Sequence, residues 1–227
     1  KVVQLDNLNV INDLTNPAVK ESYISTRTNL IFSLMNSSNK IVTFMSQNFS
    51  DGATATSVNI AISLAETGAK VLIIDADLRK PSVHKMLKVK NDYGLSSILS
   101  GKCTVSDAIS KNVRENLDCI TAGTIPSNPA ELVVSPNTKG LLDVLSKNYD
   151  YICIDTSPIK NVSDALLFNP HIAGIIFVVK ENSTRHGDIK SALDKIKFAN
   201  GNVLGIVKTS CRTSLMSRLS GNRDDLK

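Results

Sequence analysis

A chain of 227 residues, 42% hydrophobic and 4% aromatic with no tryptophan, is long enough to bury a sizeable core and too apolar to be disordered. Its formal net charge of +5 is spread along the sequence with few aromatic residues to stack bases, so nucleic acid is not an expected partner. The four cysteines lack CxxC or metal-ligand spacing, His84, His171 and His186 are scattered polar surface residues, and the longest apolar run, Ala173 to Val179, is far short of a membrane span. These patterns argue against a zinc centre, a disulfide framework and an integral membrane protein.

The first 20 residues, rich in Asn and carrying Pro17, read as an arm that packs on the domain or on a neighbour. An apolar run, Ile41 to Met45, follows, then a polar loop from Ser46 to Thr54 and a helical pattern in which Ile60, Ala61, Leu64 and Ala65 share a face, stopped near Gly68. Further apolar strands are predicted at 71–75, 117–121, 151–155, 174–179 and 203–207, with helical stretches between them. This alternation predicts a three-layer α/β/α fold with a mainly parallel central sheet. The organisation expected is an arm and helix over 1–36, one domain over 37–212 and a polar tail over 213–227. Arg212 to Arg218 could make a short basic turn, although a tail is expected there.

The chemistry concentrates at three strand ends. Val71 to Pro81 reads VLIIDADLRKP, an unbroken apolar strand that delivers Asp75, Asp77 and Arg79 to its carboxyl end, where open α/β sheets bind ligands. The loop before the first helix has the strand, loop, helix order of a phosphate-binding site, with the helix start aimed at the anion. Against the pattern GxxxxGK[ST] it keeps Gly52 and Thr54, but Ala53 stands at the lysine, and Gln47 and Ser50 stand where small residues are expected. A third strand ends in Asp155-Thr-Ser-Pro158, so Thr54, Asp77 and Asp155 form the candidate Mg²⁺ shell and Asp75 the candidate base. Gly52, Ala53, Thr54 and Arg79 line the candidate nucleotide site, and Lys80 is a nearby basic residue that could replace the missing lysine if geometry allowed.

Together these residues resemble the bacterial tyrosine kinases of capsule and exopolysaccharide synthesis, a branch of the MinD and ParA type P-loop ATPases. The resemblance runs from Glu21 to about Ser210 and includes GLSSILSG (Gly94 to Gly101), AGTIPSNPAELV (Ala122 to Val133) and YDYICIDTSP (Tyr149 to Pro158). It implies ATP or ADP with Mg²⁺ as ligands, Asp75 activating the acceptor tyrosine, Asp77 and Asp155 holding the metal, and Lys208-Thr209 where an asparagine usually meets the adenine. It also implies a self-oligomer, in some members a ring, and a membrane-embedded activator or chain-length regulator that keeps the cytoplasmic kinase at the inner face of the membrane.

The departures fall on the active parts. The ring motif ExxRxxR survives as Glu21 to Arg27 with Ile24 at its first arginine, no tyrosine follows Tyr151, and surface residues such as Tyr23 and Tyr93 are acceptor candidates. Loss of the loop lysine removes roughly 3 kcal/mol of transition-state stabilisation, a hundredfold or more in rate. Three readings follow: a weakened protein-tyrosine kinase, a non-catalytic pseudokinase scaffold of the polysaccharide machinery, and, less well matched, a partition-type ATPase.

Overall fold

The computed structural model describes residues 2–6, 10–12, 15–160 and 164–210. Its centre is an eight-stranded sheet: β1 (Val2–Asp6), β2 (Ile41–Ser46), β3 (Val71–Asp75), β4 (Ile109–Arg114), β5 (Leu117–Ile120), β6 (Tyr151–Asp155), β7 (Gly174–Lys180) and β8 (Val203–Ser210). The spatial order is β1-β8-β7-β2-β6-β3-β5-β4, and every pairing is parallel except β4 with β5. Strands β2, β3 and β6 are buried along their whole length, which is why they read as continuous apolar runs rather than alternating ones.

The helices are α1 (Pro17–Ser33), α2 (Ala53–Ala65), α3 (Val83–Leu87), α4 (Leu95–Leu99), α5 (Val105–Ala108), α6 (Pro129–Val134), α7 (Pro136–Leu145) and α8 (His186–Phe198). Helices α1 and α2 pack in one apolar cluster with Val42, Phe44, Val71, Ile73, Tyr151 and Cys153. The intervening strand residues Ile41, Leu72, Ile74, Ile152 and Ile154 join α4, α6 and α7 on the other side, and α8 completes that side with β7. This is the expected three-layer arrangement.

The opening segment lies against the domain. Residues 2–6 add a parallel strand beside β8, and Pro17 is the first residue of α1. A proline there lacks only an N–H that the helix start would leave unpaired, and Asn16 caps the helix by accepting the Ala18 N–H at 2.9 Å. Arg27, the remaining arginine of the ring motif, donates to the Ser63 carbonyl of α2 at 2.8 Å in its own chain. The residues from 211 onward, including Cys211 and the predicted tail, lie outside the described residues.

From β2 the chain crosses to β3, places β6 between them, then continues on the other side through β7 and β8. The direction of winding therefore reverses beside β2, and the carboxyl ends of β2, β6 and β3 open on one crevice.

Candidate nucleotide and metal site

Strand alternation decides where the acids point. Val71 and Ile73 face α2, so Asp75, next in that series, lies on the α2 side, and Asp155 follows Tyr151 and Cys153 in the same way. Asp75 and Asp155 are directly paired in the β3–β6 register, and neither has any accessible surface. The segment after β6 is stitched to the end of β2: Thr156 donates its hydroxyl to the Phe44 carbonyl at 2.8 Å, and the Ile159 N–H reaches the Ser46 carbonyl at 2.9 Å. Both acids are thus held against the start of α2.

The DADLRK segment turns around its own carboxylates. Asp75 accepts the N–H of Asp77 at 3.1 Å and those of Ser82 and Val83, each at 3.0 Å. Asp77 Oδ1 accepts the N–H groups of Arg79 (3.2 Å) and Lys80 (3.0 Å) and the Ser157 hydroxyl (2.7 Å). Two aspartates at this spacing therefore fix the strand exit as turns closed by side chains. Burial pushes Asp75 up from 3.8 to about 6, against the pull of the Val83 and Ser82 N–H groups, and the charge on Asp77 adds to the rise.

Asp155 is different. Both of its carboxylate oxygens are buried without a hydrogen-bond partner among the described residues. Burial, then the charge on Asp75, holds its pKa well above the ordinary carboxylate range. The hydroxyls of Thr54 and Ser57 lie close enough to offset part of that rise, yet neither completes a well-formed hydrogen bond to it. An unpaired buried carboxylate is costly, and a bound cation is the simplest way to satisfy it.

The loop from Ser46 to Gly52 is braced from within, with Gln47 Oε1 left buried and without a hydrogen-bond partner among the described residues. Phe49–Asp51 forms one turn of 3₁₀ helix, and Gly52 takes φ +90°, the left-handed region that favours glycine, before α2 begins at Ala53. Asp51, fully buried, accepts the Asn48 N–H at 2.9 Å and its side-chain amide at 3.2 Å. The first N–H groups of α2 have no acceptor within the helix and make the anion-facing part of the loop. Thr54 Oγ1 accepts from the Ser82 hydroxyl at 3.3 Å, tying the helix start to the exit of β3, and the Ala53 side chain is buried. Lys80 Nζ sits 5.1 Å from the centre of the Phe49 ring, over this loop.

The structure brings Gly52, Ala53, Thr54, Asp75, Asp77 and Asp155 to one crevice. Two expected ligand contacts point elsewhere. Arg79 is paired with Asp164 at 2.8 Å, and Thr209 is buried with its hydroxyl donated to the Asp51 carbonyl at 2.8 Å, supporting the loop. Neighbouring Lys208 pairs with Glu181 at 2.9 Å. Of the expected surface tyrosines, Tyr93 is 58% exposed but Tyr23 is only 1% exposed: it faces the core, with its hydroxyl accepting from the Asn59 amide at 2.9 Å, because α1 turns that face onto α2. His84 is likewise only partly exposed, with Nδ1 buried.

Sequence reasoning overlooked Ser57, Ser82, Ser157 and Asp51. Ser57 was open to discovery, since it lies three residues after Thr54 on the same helix face; Ser82 and Ser157 reach the site through turns that leave no periodic signal. Among the described residues no three His, Cys, Asp or Glu side chains form a metal cluster. The donors fit Mg²⁺ all the same, because that ion uses one or two carboxylates and completes its shell with water and phosphate oxygens. Asp155, with both oxygens unpaired, and Thr54 would supply those donors, and Asp77 Oδ2 makes no hydrogen bond among the described residues.

A strand, loop and helix at the winding reversal of a parallel sheet, with acids on the two adjacent strand ends, define a P-loop nucleoside-triphosphatase fold. The AAA domain family model matches residues 39–197. Tyrosine-protein kinase YwqD of Bacillus subtilis (strain 168) is 33% identical over 90% of this chain and 87% of its own length. CapB of Staphylococcus aureus, named as a candidate tyrosine-protein kinase, is 34% identical over 87% and 86%. The crystal structure of the chimerical protein CapA2B2 superimposes with a TM-score of 0.85 at 30% identity, covering 92% of this chain and 93% of that one. The cell-division ATPase MinD of Pyrococcus furiosus shares the fold, with a TM-score of 0.62 at 22% identity over 75% and 71%. The chain belongs to the bacterial tyrosine-protein kinase family.

Proposed function

We propose that this protein binds MgATP in the crevice between the loop and the β3 and β6 ends, and transfers the γ-phosphoryl group slowly to protein tyrosine, in the control of capsular or exopolysaccharide synthesis. The observation that carries this reading is the pair of unpartnered, buried oxygens on Asp155 beside Thr54, a demand for a cation built into the site. Mg²⁺ held there by Asp155, Thr54 and Asp77 would offset charge on the phosphate oxygens. Asp75, with a pKa of about 6, is ionised at neutral pH yet basic enough to take the phenolic proton of an incoming tyrosine. The N–H groups at the start of α2 hold phosphate oxygens, and Gly52 lets the backbone approach them.

Ala53 sets the weakness of the transfer and favours a second reading: a pseudokinase that serves as a scaffold and holds nucleotide weakly or not at all. No helix among the described residues is long and apolar enough to cross a membrane. On family membership, a membrane-embedded activator is the partner proposed for either reading, with the chain held at the inner face of the cell membrane through it. Self-assembly is proposed too, although Arg27 spends its guanidinium on Ser63 and leaves less of the ring motif for a neighbour.

Calorimetric titration of MgATP, paired with phosphate transfer to a tyrosine peptide between pH 5 and pH 8, tests both. Binding that is lost in Asp155→Asn, with transfer rising through about pH 6, is the result expected of the kinase. Binding without transfer at any pH selects the scaffold. Absence of binding removes the kinase and leaves a scaffold that works without nucleotide.

A further inference from the structure

Phosphate-binding loops of this order place a lysine at the first residue of the helix, and here that residue is a buried alanine, so the loop brings no cation of its own. The surrounding basic groups are unequal. Arg79 is engaged by Asp164 and Lys208 by Glu181, each at hydrogen-bond distance. Lys80 has no ion-pair partner among the described residues, and its ammonium lies over the ring of Phe49, a residue of the loop itself. Its backbone is anchored from the opposite side of the crevice, where its N–H binds Asp77 Oδ1 at 3.0 Å. Lys80 thus spans the gap between the metal-binding acids and the phosphate loop.

We infer that Lys80 supplies the phosphate-neutralising cation that Ala53 cannot, entering the site from the β3 exit instead of the helix start. The resting contact does not oppose this. An exposed cation–π contact is weak beside a charge-assisted bond to phosphate, and a four-carbon stem can leave Phe49 without moving the backbone. Lys160 is the rival: its N–H bonds the Gln47 carbonyl at 3.3 Å, at the other end of the loop, and its side chain is exposed. The ligand recognised is the terminal phosphate of a nucleoside di- or triphosphate, so a nucleoside monophosphate gains little from Lys80.

The inference rests on the nucleotide-binding reading, and the test separates the two. MgADP, a non-hydrolysable MgATP analogue and AMP are titrated by calorimetry into the parent, Lys80→Met, Lys80→Arg, Lys160→Met, Ala53→Lys and the Ala53→Lys/Lys80→Met pair, with urea midpoints confirming that each folds. Lys80→Met is expected to weaken the di- and triphosphate roughly tenfold or more, as for loss of one charged hydrogen bond, and to leave AMP unchanged. Lys80→Arg keeps most of the affinity, Lys160→Met stays within about twofold, and a lysine at 53 restores binding to the Met variant. Parent-like binding by Lys80→Met overturns the role of Lys80 and leaves the nucleotide site standing. So does binding that appears only with Ala53→Lys. If neither the parent nor Ala53→Lys binds, both readings fall.

Discussion

The acid-bearing ends of β3 and β6 and the loop between β2 and α2 face each other across one crevice, and they have solved the problem of buried polarity in opposite ways. On the acid side the backbone is satisfied while one functional group is not: Asp75 and Asp77 close the turns, and Asp155 keeps two oxygens unpaired. On the loop side most polar groups satisfy one another, with the Asp51 carboxylate accepting the Asn48 N–H and the Asp51 carbonyl accepting the Thr209 hydroxyl, while Gln47 Oε1 is buried without a partner among the described residues. One side stores a demand for a cation; the other brings no cation of its own and is braced largely from within. On the proposed reading, metal affinity and phosphate affinity should be separable here, where an intact loop lysine would couple them.

The largest effect expected from this contrast is in the metal-free protein. At about 1.4 kcal/mol per tenfold change in proton affinity, raising Asp75 from 3.8 to about 6 makes its ionisation in the fold cost roughly 3 kcal/mol. A folded-state pKa above the unfolded one means the native state holds the proton more tightly. That stability is fully present below about pH 4 and is lost as pH rises to about 6. Asp155 is shifted the same way. Asp155→Asn should accordingly be more stable than the parent at pH 8 in EDTA, with the advantage shrinking towards pH 4. Urea unfolding at a series of pH values measures this, and a difference independent of pH would show that Asp155 carries no buried charge.

Next in size is the response to metal alone. If Asp155 and Thr54 accept Mg²⁺ without phosphate, a concentration ten times the dissociation constant adds about 1.4 kcal/mol of stability. That is a rise of roughly 3–6 °C in melting temperature for a chain of this size. Asp155→Asn should show none of it, while Ala53→Lys should keep it. An equal response in both variants would place the ion elsewhere and break the separation of metal from phosphate affinity.

A smaller effect tests the loop. Thr209→Val removes the hydrogen bond to the Asp51 carbonyl while keeping the side-chain volume, and should cost about 1 kcal/mol in urea unfolding. Its consequence for nucleotide should exceed its consequence for Mg²⁺, because it loosens the loop and leaves the acids in place.

Much of this was legible in the sequence, and where it was not the reasons are physical. Strands β2, β3, β5, β6, β7 and β8 were marked by apolar runs because the layers of helix on both faces force them to be apolar. Strand β4, ISKNVR, left no such mark: it is an edge strand, half exposed, bent where Asn112 takes a positive φ, and pinned by the Asn112 N–H to Asp118. Tyr23 sits among Ser22, Ser25 and Thr26 in α1, and what buries it is α2, whose Asn59 lies 36 residues away. The acids were found because strand ends and spacing are local facts. The pairing of Arg79 with Asp164, 85 residues on, was not, since it depends on how the segment after β6 folds back.

That pair gives the smallest expected effect and the sharpest limit on the comparison. Arg79 belongs by sequence to the acid-bearing strand exit, and a direct role with phosphate would make it part of the catalytic side. Its guanidinium instead meets Asp164 at 2.8 Å with 43% of the side chain exposed to solvent. An ion pair so open to water contributes about 0.5 kcal/mol, and the turn it leaves is held by backbone bonds to Asp77 that do not need the side chain. Arg79→Ala should therefore lower stability by no more than about 0.5 kcal/mol, and a double-mutant cycle with Asp164→Ala should recover a coupling of the same size, falling with salt. Nucleotide affinity should change less than with Lys80→Met. If Arg79→Ala instead abolishes binding while stability holds, the guanidinium leaves Asp164 for the phosphate, and the cation of this site comes from Arg79 rather than Lys80.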